Sequence, residues 1–516
     1  MKHQNTQPSF YPKLAGFFVF LFGLTGCFPF SETTIQKADY SGEFGVITVA
    51  GAEKLNPLSL DWQNRLRLNN IYESLVKTDE NSSIEPSLAV SWGLLNDKEW
   101  EFYLRKGVKF QDSSDFNADD VIFSFDLAKN SATSELKSVF ANIDQIQKID
   151  DYRLDIKTLS PDPLFLNKIA QIFILNSENY TEGISNGTGA YKLISNTPTQ
   201  TELEAFEDYW GGKSEIKKAS FQAIDNSVTR QEIAITNDCQ KFSEKENYKC
   251  GILTSVPLSV LDRLNEKLKT YKFSNLNSTY LVFNNNSLKI KDDNLKKALK
   301  LALDYNEIGT FGGELTYPAN QFFSSGSFGH NPDLEIPEQN TEEANRIFPL
   351  EVRSRSFVLD YHPDYEILAN YLYDAWRELG IELKLNQVSS AESLKKRTES
   401  GQNDFYIISW QVENGDAEGF FTSAVHTPDD SGKYGQFNWS NYGDKDMDLF
   451  IENSNTNMNW RERLKSLREI SKFITETKPY GIPLFESKSI YAADADVNFT
   501  PRADGFIILS QISLSN

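Results

Sequence analysis

Basic charge is in short supply. The 516-residue chain carries 52 Lys and Arg against 73 Asp and Glu, a formal net charge of −21. That deficit argues against a nucleic-acid partner and against a polybasic membrane patch, both of which need clustered cations. A solvated acidic surface accounts for it more simply than a cationic ligand does. Cysteine is scarcer, at three, histidine numbers four, and no Cys and His stand at zinc-finger spacing. Nickel is disfavoured because His330, His362 and His426 are widely spaced. A regular Asp/Gly cation loop, a phosphate loop, a tandem repeat and a low-complexity segment are all missing. So is the H-E-x-x-H helix of an exported metallohydrolase, and the chain reads as a non-enzyme without cofactor or metal. The apolar run Leu14–Leu24 is too short for a comfortable permanent membrane span.

What that run does fit is an export signal. Lys2 and Lys13 precede it, and Leu24-Thr25-Gly26-Cys27 follows, a charged start, a short apolar core and small residues at the end. Leu-x-Gly-Cys resembles a bacterial lipobox. It implies removal of residues 1–26, acylation of Cys27, and a mature chain of 490 residues tethered to a bilayer but folded outside it. Either the periplasm or the outer face of the cytoplasmic membrane satisfies this. The remaining cysteines, Cys239 and Cys250, lie 11 positions apart. Outside the cytosol a disulfide between Cys239 and Cys250 is the expectation, and two free thiols are the alternative that the spacing alone does not exclude. A chain of this length exceeds what one core usually covers, so at least two lobes are expected. Hydrophobic residues at 39 % supply ample core.

Order is strongest between Ile71 and Phe125. Trp100, Phe102 and Leu104 alternate with Glu101, Tyr103 and Arg105, the period of a half-buried strand. Gly107 marks a turn, and Val108 and Phe110 start a second apolar run. Asn117 is a good helix cap, with Asp119 and Asp120 in the first turn, where the helix dipole favours anions. Further on, a helix is expected from about Asn294 to Ile308, and another from about Glu366 to Leu379, ended by Gly380 and followed by a strand through Ile381, Leu383 and Leu385. Asn459 can cap a helix that stops before Pro479. Helix followed by strand suggests an α/β unit.

In one-letter form the opening block reads I-Y-E-S-L-V, I-E-P-S-L-A-V-S-W, W-E-F-Y-L-R-K-G-V-K-F-Q-D and A-D-D-V-I-F-S-F. This order of words resembles the family 5 extracellular solute-binding proteins, the peptide- and nickel-binding receptors of ABC importers. Asn186-Gly187-Thr188-Gly189-Ala190-Tyr191 resembles their G-T-G-P-Y turn, with Ala190 in place of Pro, and Tyr209-Trp210-Gly211-Gly212 their Y-W-G-G. Thr279–Asn285, Lys297–Asp304 and Ile482–Phe485 continue the match. The resemblance implies an α/β, two-lobed periplasmic-binding-protein-like fold with a hinge and an extra first-lobe subdomain. The expected division is a tether at 27–44, a discontinuous first lobe at 45–59, 179–279 and 484–516, a subdomain at 60–178, and a second lobe at 280–483. It further implies a lipid-anchored, monomeric receptor that delivers peptides to an ABC permease. A sensor or scaffold of the same fold without transport, and a nickel or other small-solute receptor, are the alternatives.

The sharpest site candidate is the turn Trp410-Gln411-Val412-Glu413-Asn414-Gly415-Asp416 after the apolar strand Asp404–Ser409. Open α/β sheets bind ligands at strand tips. The segment is similar to a W-x-x-D-N-G-D-P stretch of dipeptide-binding relatives, where an acid before the Asn pairs with the peptide's terminal ammonium. Glu413 falls on that position, and the resemblance makes Trp410, Val412, Asn414, Gly415 and Asp416 its neighbours at the ligand. Those relatives also clamp the free carboxylate with an Arg after the strand preceding the second-lobe helix. Here that loop reads Asp360-Tyr361-His362-Pro363-Asp364 without an Arg, so Tyr361 and His362 are the candidates there and a longer, extended peptide is the expected ligand.

Overall fold

The computed structural model describes residues 40–183, 185–239, 247–256, 258–412, 414–430 and 432–515. The export signal, Cys27 and Glu413 lie outside the described residues. Tyr40–Thr48 is already a strand, within the stretch expected as tether. The reason is pairing: Glu43–Ile47 run parallel to both Lys218–Gln222 and Tyr248–Leu253.

One eleven-stranded sheet organises the molecule. Its strands follow the order Glu382–Gln387, Ser356–Tyr361, Phe405–Gln411, Leu268–Phe283, Gly481–Asp494, Tyr248–Leu253, Tyr40–Thr48, Ile216–Ala223, Gln200–Ala205 and Tyr191–Asn196, with Thr316–Pro318 pairing on the side of Gly481–Asp494. The two long central strands, of 16 and 14 residues, pair antiparallel from Leu268↔Asp494 to Val282↔Gly481. Their ladder shifts register between Ser274 and Asn277, where Leu276 takes φ +54°. Each strand therefore serves two cores. Leu281, Phe283, Ile482 and Leu484 pack with the helices Asp293–Leu301 and Glu366–Arg377, whereas Ala492, Ala493 and Ile490 pack with residues from the start and middle of the chain. Trp376 is wholly buried in the first of these, its indole N–H donating to Leu299 O at 3.0 Å. Each fully buried side chain of this size contributes roughly 1.5–3 kcal/mol.

A separate four-stranded sheet, Ala89–Asn96, Glu99–Leu104, Arg153–Thr158 and Ile143–Asp150, carries the block read first in the sequence. Trp100, Phe102 and Leu104 turn inward and pack on Val121 and Phe125 of the helix Ala118–Asn130. Asn117 caps that helix: its Oδ1 accepts from Asp119 N at 2.7 Å, and Asp120 Oδ2 accepts from Asn117 N at 2.9 Å. Asn117→Ala is expected to cost about 1 kcal/mol, read as a lower urea midpoint with an unchanged m-value.

Val108 and Phe110 are buried after the turn at Gly107, where Lys109 and Asp115 form an isolated bridge and Phe110 closes edge-on against Phe116. One expectation changes in detail. The helix expected from Asn294 to Ile308 is two helices, Asp293–Leu301 and Tyr305–Ile308. Asp304 makes the break, because its carboxylate accepts from Asn306 N and Glu307 N and so starts a new helix. Cys239 and Cys250 are joined in a disulfide, with Cα atoms 5.7 Å apart.

Candidate functional site

A cavity of about 620 Å³ opens beside the strand tip at Gln411, within the range of about 300–1,000 Å³ usual for small-molecule sites. Trp62 and Arg65 enter it from the helix Trp62–Leu68, and Tyr209 and Trp210 from the turn after Ala205. Phe506 arrives from the last segment of the chain, stacked on Trp62 at 6.1 Å, and Leu276, Gln411, Val412 and Asn414 complete the wall.

Glu73 knits one side of this cavity. Its part-buried carboxylate accepts from Thr188 Oγ1 at 2.8 Å, Tyr209 OH at 2.9 Å and Trp210 Nε1 at 2.8 Å. Burial pushes the carboxyl above its usual range, against these three donors and Lys77. The Trp210 ring in turn carries the Arg105 guanidinium at 3.9 Å. The sequence words Y-E-S-L-V, L-R-K-G-V-K-F, G-T-G-A-Y and Y-W-G-G thus meet around one carboxylate. Gly187 and Gly189 permit the approach: a Cβ would sit 2.1 Å from Ile71 O at the first and 2.6 Å from Ile71 C at the second. Gln111 of the same block closes the joint, its Nε2 donating to Tyr191 O at 2.7 Å and to Ile71 O at 3.0 Å.

The strand Phe405–Gln411 delivers the expected turn to the opposite wall. Val412, 3 % exposed, donates its N–H to Leu276 O at 3.0 Å, and Asn414 Oδ1 accepts from Gln171 Nε2 at 3.2 Å. Both line the cavity. Gly415 has φ +67°, with room for a Cβ only 2.9 Å from that of Ser82. The structure places the other expected ligand contacts away from the cavity. Trp410 packs edge-on against Phe420 and Phe437 at 5.5 and 5.7 Å. Asp416 is held bidentately by Arg463, at 2.6 and 2.9 Å, and Glu418 accepts from the same guanidinium at 2.7 Å. Asp416 is buried and the Glu418 side chain is 12 % exposed, with one cation between them, and burial pushes Glu418 up to about 7 despite the attraction of Arg463 and Lys168. Tyr361 lies in the core with Trp376, and the half-exposed His362 caps the turn Pro363–Tyr365, 3.1 Å from Asp364. Asp360, in the loop expected to contact ligand, is buried and held by Arg397.

Trp62, Arg65 and the Arg502–Phe506 segment were not apparent as site residues. The one signal for Arg65 is its place in Arg65-Leu66-Arg67-Leu68, charged residues within an apolar stretch. Among the described residues, no three His, Cys, Asp or Glu side chains converge in a way that could hold a metal ion, and no helix is long and apolar enough to cross a membrane.

The description of bacterial extracellular solute-binding proteins, family 5 (middle segment), matches residues 83–432. The chain belongs to this family. The dipeptide-binding protein of Escherichia coli K12 is 24 % identical to this family 5 receptor over 400 residues, 69 % of the chain and 72 % of the relative. HbpA2 from Haemophilus parasuis superposes with a TM-score of 0.79 at 21 % identity, covering 92 % of this chain and all of the other. The ABC transporter-associated periplasmic binding protein DppA from Helicobacter pylori, solved with the peptide STSA, gives 0.70 at 20 % identity over 92 % and 98 % of the two chains. These likenesses establish the two-lobed α/β architecture of the periplasmic binding proteins. As a family 5 member the chain is a solute-binding receptor of the ABC-importer type.

Proposed function

We propose that this receptor is a lipid-anchored, monomeric peptide-binding protein that closes over short peptides and delivers them to an ABC permease, with acylated Cys27 as the anchor. The cavity carries the reading. It combines apolar aromatic surface at Trp62, Tyr209, Trp210 and Phe506 with polar groups at Asn69, Asn414 and Gln511, the mixture that binds a chain of varied side chains around a constant backbone. Its size suits a small solute and excludes a folded partner. The peptide bound in the Helicobacter pylori relative supports the same class. Glu413, next to Asn414 in the wall-forming turn, is the proposed partner of the peptide ammonium.

The division into a first lobe at 45–59, 179–279 and 484–516, its subdomain at 60–178 and a second lobe at 280–483 belongs to the same proposal. Its support is that a core from Leu58 to Ile174, one that gathers Phe44, Phe221 and Ala493, and one from Leu281 to Leu484 form separate clusters, the last two joined by the two long strands. Such lobes close about a hinge on a ligand.

Titration calorimetry against pools of random di- to pentapeptides tests the proposal. Saturable heat is expected from at least one pool, and none from free amino acids at equal concentration. Glu413→Ala should weaken the tightest peptide by about tenfold or more, roughly 1.4 kcal/mol or above. No heat from any pool would refute peptide binding, and unchanged affinity in Glu413→Ala would remove Glu413 from the site.

A further inference from the structure

Four arginines are buried among the described residues: Arg65, Arg67, Arg463 and Arg502. A buried guanidinium needs acceptors for its N–H groups and, ordinarily, an anion. Arg463 and Arg502 have both, and Arg67 has neutral acceptors for its N–H groups. Arg463 holds Asp416 and Glu418. Arg502 is bidentate on Asp504, at 2.5 and 2.9 Å, and also donates to Thr78. Arg67 donates to Thr201, Gln63, Thr48 and Ala50.

Arg65 differs. It is 7 % exposed and lies over the Phe173 ring at 4.5 Å, and among the described residues its one side-chain hydrogen bond is a long one, Nη1 to Ser59 O at 3.4 Å. No carboxylate among the described residues pairs with it. The two acids on the cavity wall are already engaged, Glu73 by three donors and Asp504 by Arg502. Burial without a compensating anion pulls its guanidinium down to about 10. It remains charged at neutral pH. Arg65 and Phe173 both face the cavity, so the uncompensated cation borders the space that a solute fills.

We infer that Arg65 is the receptor for a carboxylate on the bound solute, and that in a peptide this is the C-terminal carboxylate. The inference rests on the peptide reading above. The geometry favours a carboxylate because the planar guanidinium, steadied from below by Phe173, presents a fork that a carboxylate meets with two parallel hydrogen bonds. Peptides lie in one direction as a result, with the free carboxyl end on the Trp62–Leu68 helix. This is where the chain supplies what the arginine-free loop Asp360–Asp364 does not.

The test uses the full receptor and one pair of probes: random tripeptide pools with a free C-terminus and the same pools amidated at the C-terminus. For the wild-type protein, amidation is expected to weaken binding roughly tenfold to a hundredfold. In Arg65→Met the free-acid and amidated pools should bind alike, at about the affinity of the amidated pool for the wild type. The wild-type comparison needs no variant, so it decides the matter even where Arg65→Met folds poorly. Equal affinity of the wild type for both pools would overturn the role of Arg65 and leave peptide binding standing. Binding of neither pool would overturn both.

Discussion

Replacing Arg463 by Met is expected to destabilise the protein by about 3–5 kcal/mol, the usual cost of removing one partner from a buried ion pair. Arg463 is 3 % exposed and holds the buried carboxylate of Asp416 and the largely covered one of Glu418. Without it two acids remain beside one another in a low-dielectric site. The same triad sets a pH dependence. Glu418 is pushed up to about 7, chiefly by burial, above a value near 4.3 in the unfolded chain. Between these values the folded state binds the proton more tightly than the unfolded state does. The contribution is therefore whole below about pH 4.3 and is lost as pH climbs through about 7, on the order of 3 kcal/mol. Glu418→Gln should flatten the stability profile over that window and match or exceed the wild type at pH 8. Urea unfolding at pH 5, 6.5 and 8 reads both effects. A wild-type slope retained in Glu418→Gln would contradict the assignment, as would an Arg463→Met variant of native stability.

The second large effect is expected at Glu73. Glu73→Ala leaves the Thr188 hydroxyl, the Tyr209 hydroxyl and the Trp210 indole N–H without their acceptor. Thr188 is buried and the other two donors are part-buried; a buried donor left unmade costs about 1–3 kcal/mol, partly offset because a part-buried carboxylate is removed with them. A net loss of about 3 kcal/mol is expected. Glu73→Gln should cost less, since its amide oxygen still accepts while its NH₂ opposes a donor. Solute affinity should fall with stability here, because Tyr209 and Trp210 wall the cavity. A Glu73→Ala variant that unfolds and binds like the wild type would show that the joint does not hold this wall.

Local structure was the legible part. The strand at Glu99–Leu104, the Asn117 cap, the helix before Gly380 and the strand ending at Gln411 each follow from short-range patterns of apolarity, capping and turns. The order of motif words also identified the family. What those words do physically was hidden, because Glu73, Arg105, Thr188 and Trp210 are separated by up to 137 positions and meet only after folding. The turn at 410–416 borders the cavity through Gln411, Val412 and Asn414, yet its charges were not readable one by one. Asp416 looks like a loop acid until Arg463, 47 positions on, is packed against it. Period and propensity describe neighbours along the chain, whereas the burial and pairing of charge are tertiary facts. Arg65 follows the same rule: its apolar surroundings in sequence hint at burial, but only the fold shows that it lacks acceptors where it borders the cavity.

The central claim is that the cavity holds a peptide with a free carboxyl end. Mass spectrometry of the small molecules released on denaturing receptor purified without added ligand, from cells of its own kind, tests this most directly. The account predicts short peptides, heterogeneous in sequence and unmodified at the C-terminus, recovered in proportion to protein and depleted in Arg65→Met. Recovery of a stoichiometric non-peptide solute, with no peptide above the level of a control protein, would contradict it.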